Sequence, residues 1–189
     1  GDDLRRDGTL EGSLAEALAM DDNRRKVRLL AEIGALQFGR GQIKEASEAF
    51  EAARAAAYSR DGQYRLHMLL RIADAQAGAQ WLQAAEKTLA EFRSLSETSE
   101  DPAPSGTLRR LSGVQARMGQ FGLALETIEG IQIEEEKLMA FFVLIETNID
   151  QGLHKEASEI IQNIYSDLNP FERVQFLTPI SGSMARAGL

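Results

Sequence analysis

Cysteine is absent from this chain. That excludes disulfides and thiolate metal sites and fits an oxidising compartment as well as a reducing one. Aromatic residues make up only 6% of the 189 residues. So few aromatics beside abundant alanine argue against a β-sandwich, which needs β-branched and aromatic runs, and for closely packed helices. The longest apolar run, Leu138 to Ile145, is far too short for a bilayer span. No signal-peptide pattern opens the chain. An excess of positive charge is lacking too, since the formal net charge is −8. Nucleic-acid binding draws mainly on phosphate neutralisation by lysine and arginine, so this balance counts against it, although the charges are interspersed. Hydrophobic residues, at 43%, are ample for a folded protein.

One pattern returns at a constant interval. Ile33, Gly34, Gln37, Gly41, Ala46 and Phe50 are followed 39 residues on by Ile72, Ala73, Gln76, Gln80, Ala85 and Leu89. Another 39 residues lead to Leu111, Ser112, Gln115, Gly119, Ala124 and Ile128. A fourth copy follows after 33 (Leu144, Ile145, Asn148, Gly152, Ala157, Ile161), and a fifth begins after 36 with Ile180, Ser181, Met184 and Gly188, preceded by Leu177. Upstream, Gly8, Leu10, Ser13, Ala17 and Met20 match the second half of a preceding copy. A fixed period in this range marks a repeat array.

Each copy reads as two helices. Val27, Leu30, Ile33 and Gly34 form one helical stripe, Gly39-Arg40-Gly41 breaks it, and Ile43, Ala46, Ala49, Phe50 and Ala53 form the inner face of a second helix. Gly34 and Ala46 let the pair approach closely. Leu66, Leu69, Ile72 and Ala73 with Leu82, Ala85, Leu89 and Phe92 repeat the arrangement. Leu108, Leu111, Ser112 and Gln115 with Phe121, Ala124, Leu125, Ile128 and Ile131 do so again. The uneven intervals are expected to fall between helices. Ser94–Gly106 reads as a loop, Asn169-Pro170 as a helix start, and Pro179 as a kink or interruption. Asp21-Asp22-Asn23 reads as a helix cap, and Glu134-Glu135-Glu136 as a negative helix N-terminus.

These residues resemble the tetratricopeptide repeat family, most closely in Leu30-x-x-Ile33-Gly34-x-x-Gln37, Gly41-Gln42-Ile43-x-x-Ala46 and Phe50-x-x-Ala53. The resemblance implies an all-α solenoid of αα-hairpins with a TPR-like right-handed superhelix. The organisation expected over residues 1–189 is a partial unit 1–22, units 23–60, 61–104, 105–133 and 134–168, and a partial unit 169–189. Three departures stand out. An amide (Gln37, Gln76, Gln115, Asn148) replaces the family's large aromatic, and is expected to make a row of interhelical hydrogen bonds. Ile145 replaces a small residue and should widen its helix pair. The proline that ends the family's second helix is missing in the first three complete units.

Catalytic chemistry has no visible carrier. No G-x-G-x-x-G, P-loop, H-E-x-x-H or EF-hand pattern is present, and Gly182-Ser183 lacks the closing glycine of a nucleophile elbow. The expectation is no enzyme, no cofactor and no metal site. His154, in the turn-adjacent slot of Ile43, Leu82 and Phe121, is expected to be structural and partly buried. His67 reads as a surface residue, with ligand contact as the alternative.

The function expected is a non-catalytic scaffold that binds a peptide or partner helix in a concave groove lined by the first helices. Projecting outward from the buried stripes, that groove takes Arg28, Ala31, Ala35 and Phe38 from the first unit. The second supplies His67, Leu70, Asp74 and Ala77, and the third Arg109, Gly113, Ala116 and Arg117. The fourth supplies Met139, Phe142, Glu146 and Ile149. The places where family members hold a carboxylate clamp carry Ala31, Ala35, Leu70 and Asp74, so an apolar peptide or helix fits better than a charged C-terminus. The alternative is a self-associating array within a larger protein, because both ends break inside a repeat. That reading expects an exposed apolar face at Val174, Leu177, Ile180 and Met184. The segment Leu138–Ile145 is apolar all round, so both its faces need cover, from tight curling of the array or from a ligand.

Overall fold

A computed structural model describes residues 10–60, 62–98, 103–167 and 170–188. Among the described residues the chain is all-helical, without a strand. The helices are α1 (Leu10–Ala19), α2 (Asn23–Gly39), α3 (Ile43–Ala57), α4 (Gln63–Gly78), α5 (Leu82–Glu97), α6 (Ser105–Arg117), α7 (Phe121–Glu129), α8 (Glu134–Asp150), α9 (His154–Asp167) and α10 (Pro170–Ala187). They fall into two compact units, Gly1–Ala103 and Pro104–Leu189. Gly8 and Asn169 lie outside the described residues.

In the first unit α2 packs on α3, α4 on α5, and the first helices α2 and α4 lie against each other. The core gathers Val27, Leu30, Ile33, Ala49, Phe50, Ala53, Met68 and Ile72, with Ala17 of α1 beneath them. Helix α2 starts on a side-chain cap: the Asp22 carboxylate accepts the N–H groups of Arg24 and Arg25 at 3.0 and 3.3 Å. Its midpoint depends on glycine, because a Cβ on Gly34 would stand 2.8 Å from the Phe50 ring.

In the second unit α6 packs on α7, α8 packs on α6 and α9, and α10 lies along α8. One core cluster collects Ala116, Ala124, Ile128, Ile131, Ala140 and Leu144. Another joins Phe142, Ile145 and Ile149 of α8 to Ala157, Ile161, Phe176 and Ile180. The two faces of α8 are therefore covered within this unit, the second by α10, and the Phe142 and Phe176 rings stack at 5.3 Å. Of the four hairpins, α8 and α9, where Ile145 stands in place of a small residue, pack least extensively, and α2 and α3 most.

All four hairpins close with the same turn. The carbonyls of Gln37, Gln76, Gln115 and Asn148 accept the N–H of the residue five places on, Gln42, Trp81, Gln120 and Leu153, at 2.8–3.0 Å. The residue between, at position four, has positive φ: Gly41 (76°), Gln80 (64°), Gly119 (74°) and Gly152 (76°). Its N–H returns to the carbonyl three residues earlier (2.9–3.0 Å), which completes a Schellman motif and satisfies the orphan carbonyls of the helix end.

Several sequence expectations need correcting. The six-residue shortening behind the interval of 33 falls inside a hairpin: α7 has 9 residues where α3 has 15. The segment read as a loop, Ser94–Gly106, is helical at both ends, since α5 runs to Glu97 and α6 starts at Ser105, and residues 99–102 lie outside the described residues. Helix α10 continues past Pro179. Proline removes a single ladder bond, and the packing of Phe176, Leu177, Ile180 and Met184 on α8 and α9 holds the helix. For the same reason Ile180 is buried and Leu177 and Met184 are partly covered, not an exposed face. The side chain of Val174 lies outside the described residues. Ile43 and Leu82 are largely exposed, and so is His154. Each is the first helical residue after the reversal, with no partner helix beyond it.

Candidate functional site

The recurring amide is the polar centre of each hairpin. Gln37, Gln76, Gln115 and Asn148 are all at least 95% buried. Two make the expected interhelical bond: Thr88 Oγ1 donates to Gln76 Oε1 at 2.8 Å, and Thr127 Oγ1 to Gln115 Oε1 at 2.9 Å. In both, the hydroxyl lies 12 residues after the amide. The same position after Gln37 is Ala49, and after Asn148 it is Ile160. Accordingly Gln37 Oε1 and both amide atoms of Asn148 find no partner. The hydroxyl partners were missed in the sequence, although Thr88 and Thr127 are themselves 39 apart.

The sixteen residues projected onto a groove separate into two groups. In the first unit Arg28 is exposed, Ala35, His67 and Asp74 are partly exposed, and Phe38 is stacked on Trp81 with ring centres 4.6 Å apart. Ala31, Leu70 and Ala77 are buried. Ala31 belongs to the core with Met68 and Ile72, because α2 buries one stripe against α3 and a second against α4. His67 accepts a long hydrogen bond from Arg71 Nε (3.5 Å) across one turn of α4.

In the second unit Arg117, Met139 and Glu146 are exposed, whereas Gly113, Ala116, Phe142 and Ile149 are buried. A Cβ on Gly113 would meet Val143 at 3.3 Å, so this glycine lets α6 and α8 close on each other. Arg109 is half-buried and ion-paired with Glu136, whose carboxylate thus serves both the α8 N-terminus and the neighbouring helix. Ser183 of α10 reaches Glu146 at 3.5 Å. Polar pairs therefore tie adjacent first helices together along their outward faces.

A cluster that sequence reading missed lies on the other side of the first unit. Arg54 pairs with Glu91 at 3.3 Å, the Tyr58 hydroxyl donates to the same carboxylate, and Arg65 sits 4.3 Å above the Tyr58 ring. The hydrogen bond to Glu91, then burial, raises the Tyr58 pKa above its ordinary value. Among the described residues no group of three or more His, Asp or Glu could hold a metal ion, and no helix is long and apolar enough to cross a membrane. No protein-family model, curated protein or solved structure matches this chain.

Proposed function

We propose that the chain is a helical-repeat scaffold of the tetratricopeptide kind, whose first helices present a surface to a peptide or partner helix. The observation that carries this reading is the turn itself. One Schellman reversal, closed on the backbone carbonyl of a buried Gln or Asn and turned by a positive-φ residue, recurs in four hairpins. Within each unit the hairpins closed by this reversal set their first helices side by side, α2 on α4 and α6 on α8, the property by which solenoids build preformed binding surfaces.

The contact residues on this reading are those of the projected groove that reach solvent: Arg28, Ala35, Phe38, His67 and Asp74 in the first unit, and Arg109, Arg117, Met139 and Glu146 in the second. The polar pairs between adjacent first helices support a preformed surface, because a face held by its own contacts loses little freedom on binding. Photo-crosslinkers placed at Arg28 and at Met139 test the reading, with one at exposed Glu48 of α3 as control. Each of the first two positions is expected to trap a protein partner, and Met139→Glu to abolish capture at the second unit without lowering thermal stability. Equal capture at Glu48, or capture indifferent to Met139→Glu, would contradict it.

A further inference from the structure

The repeat supplies an internal control for a second surface. Between two successive second helices, each packed on the first helix that separates them, a cleft opens. In the first unit this cleft, between α3 and α5, measures about 340 Å³ and is lined by polar side chains including Ser47, Glu51, Arg54 and Lys87. One of these, Arg54, is ion-paired with Glu91, which also accepts from the Tyr58 hydroxyl, and the Arg65 guanidinium lies over the Tyr58 ring. Both Arg54 and Tyr58 belong to the closing turn of α3 or its cap.

Helix α7 stops after 9 residues, so the second unit has no such closing turn. The residues at the repeat-equivalent positions also change character: Ser47 becomes Leu125, Thr88 becomes Ile160, and Glu91 becomes Asn163. The outcome is a cleft of about 480 Å³ whose walls are Leu125, Leu138, Phe141, Ile160 and Ile164, all half-buried. Glu129 at the end of α7 and Glu134 at the start of α8 edge it, with Lys137 and Asn163. Exposed Glu126 and Glu135 add to the acidic rim.

We propose that this cleft docks a short basic amphipathic helix of a partner protein. The incoming helix takes the place that the last turns of α3 fill in the first unit: its apolar stripe covers the five aliphatic and aromatic walls, and its cationic flank meets the glutamates. Leu138 and Phe141 point into this cleft, whereas Met139 and Glu146 lie on the outward face of α8. The site is thus separate from the surface proposed above and does not depend on it.

The test uses the full chain and a synthetic helix with leucines along one stripe and lysines elsewhere, followed by fluorescence anisotropy and amide chemical shifts. Binding is expected, with shifts centred on Leu125, Leu138, Phe141, Ile160 and Ile164. The Glu129→Lys/Glu134→Lys variant should bind about tenfold more weakly, because it alters the rim and not the core. The Glu45→Lys/Glu48→Lys variant, with the same charge change on α3, should bind as the parent does. Replacing the peptide's leucines by alanine, or its lysines by glutamate, should abolish binding. Absence of binding, shifts centred elsewhere, or equal losses in the two charge variants would overturn the proposal. So would concentration-dependent self-association of the chain alone that the rim variant abolishes, since a second copy would then be the occupant.

Discussion

Gln80 occupies a position that the other three hairpins give to glycine. At a φ of 64° its Cβ crowds the following carbonyl, a strain of roughly 1–2 kcal/mol for a residue with a side chain. Glycine removes that strain but loses more freedom on folding. The net expectation for Gln80→Gly is a gain of about 1 kcal/mol, a rise in melting temperature of about 2–4 °C. Thermal unfolding followed by circular dichroism reads it directly, and an unchanged or lower midpoint would mean the turn is not strained at this residue. The amide row makes a second, opposite-signed pair. Thr88→Val strips a buried amide of its partner and should cost about 1–3 kcal/mol, whereas Asn148→Leu removes an amide that has none and should be neutral or stabilising. Denaturant midpoints that fall for both would show that Asn148 is satisfied in solution. Why only half the row is paired was legible in principle: the hydroxyl must lie 12 residues on, where the sequence offers Thr88 and Thr127 but Ala49 and Ile160.

Among the helices, α8 is the informative one. Its run Leu138–Ile145 is apolar on every side, and periodicity alone could not say whether a ligand or the fold covers the second face. The answer lies in contacts between first helices, which a single-hairpin stripe does not encode. Helix α8 buries Leu144 toward the α6–α7 hairpin and Phe142 toward α10. The same geometry explains why Ala31, Gly113 and Phe142 are buried, although one-stripe projection put them on a groove. Phe142→Asp should therefore unfold or strongly destabilise the free chain, and Phe142→Ala should cost about 3–5 kcal/mol. An unaltered melting curve for either would mean that α10 does not cover this face. Helix length was the other hidden quantity. The interval of 33 announces a shortening, and Gly130, the C-cap of α7, marks where it falls, but the apolar stripe that runs on to Ile131 hid this stop signal.

Across the whole chain, the hairpin core was legible because burial follows the repeat: Ile33, Ala46, Phe50, Ile72, Ala85, Leu89, Ala124 and Ile128 are all buried. What escaped were exposed apolar residues beside a reversal, Ile43 and Leu82, and the exposure of His154. A hydrophobic side chain on the right stripe is buried only where something faces it: Phe121, in the same slot, packs on the core of the second unit, while Ile43 and Leu82 stay exposed. The two units carry separate cores, yet each uses the same reversal twice, and that identity is the centre of the account. Through-hydrogen-bond scalar couplings in solution measure it most directly. The account predicts couplings from the N–H groups of Gln42, Trp81, Gln120 and Leu153 to the carbonyls of Gln37, Gln76, Gln115 and Asn148, with positive φ at Gly41, Gln80, Gly119 and Gly152. A missing coupling with negative φ at any one of the four turns would contradict it.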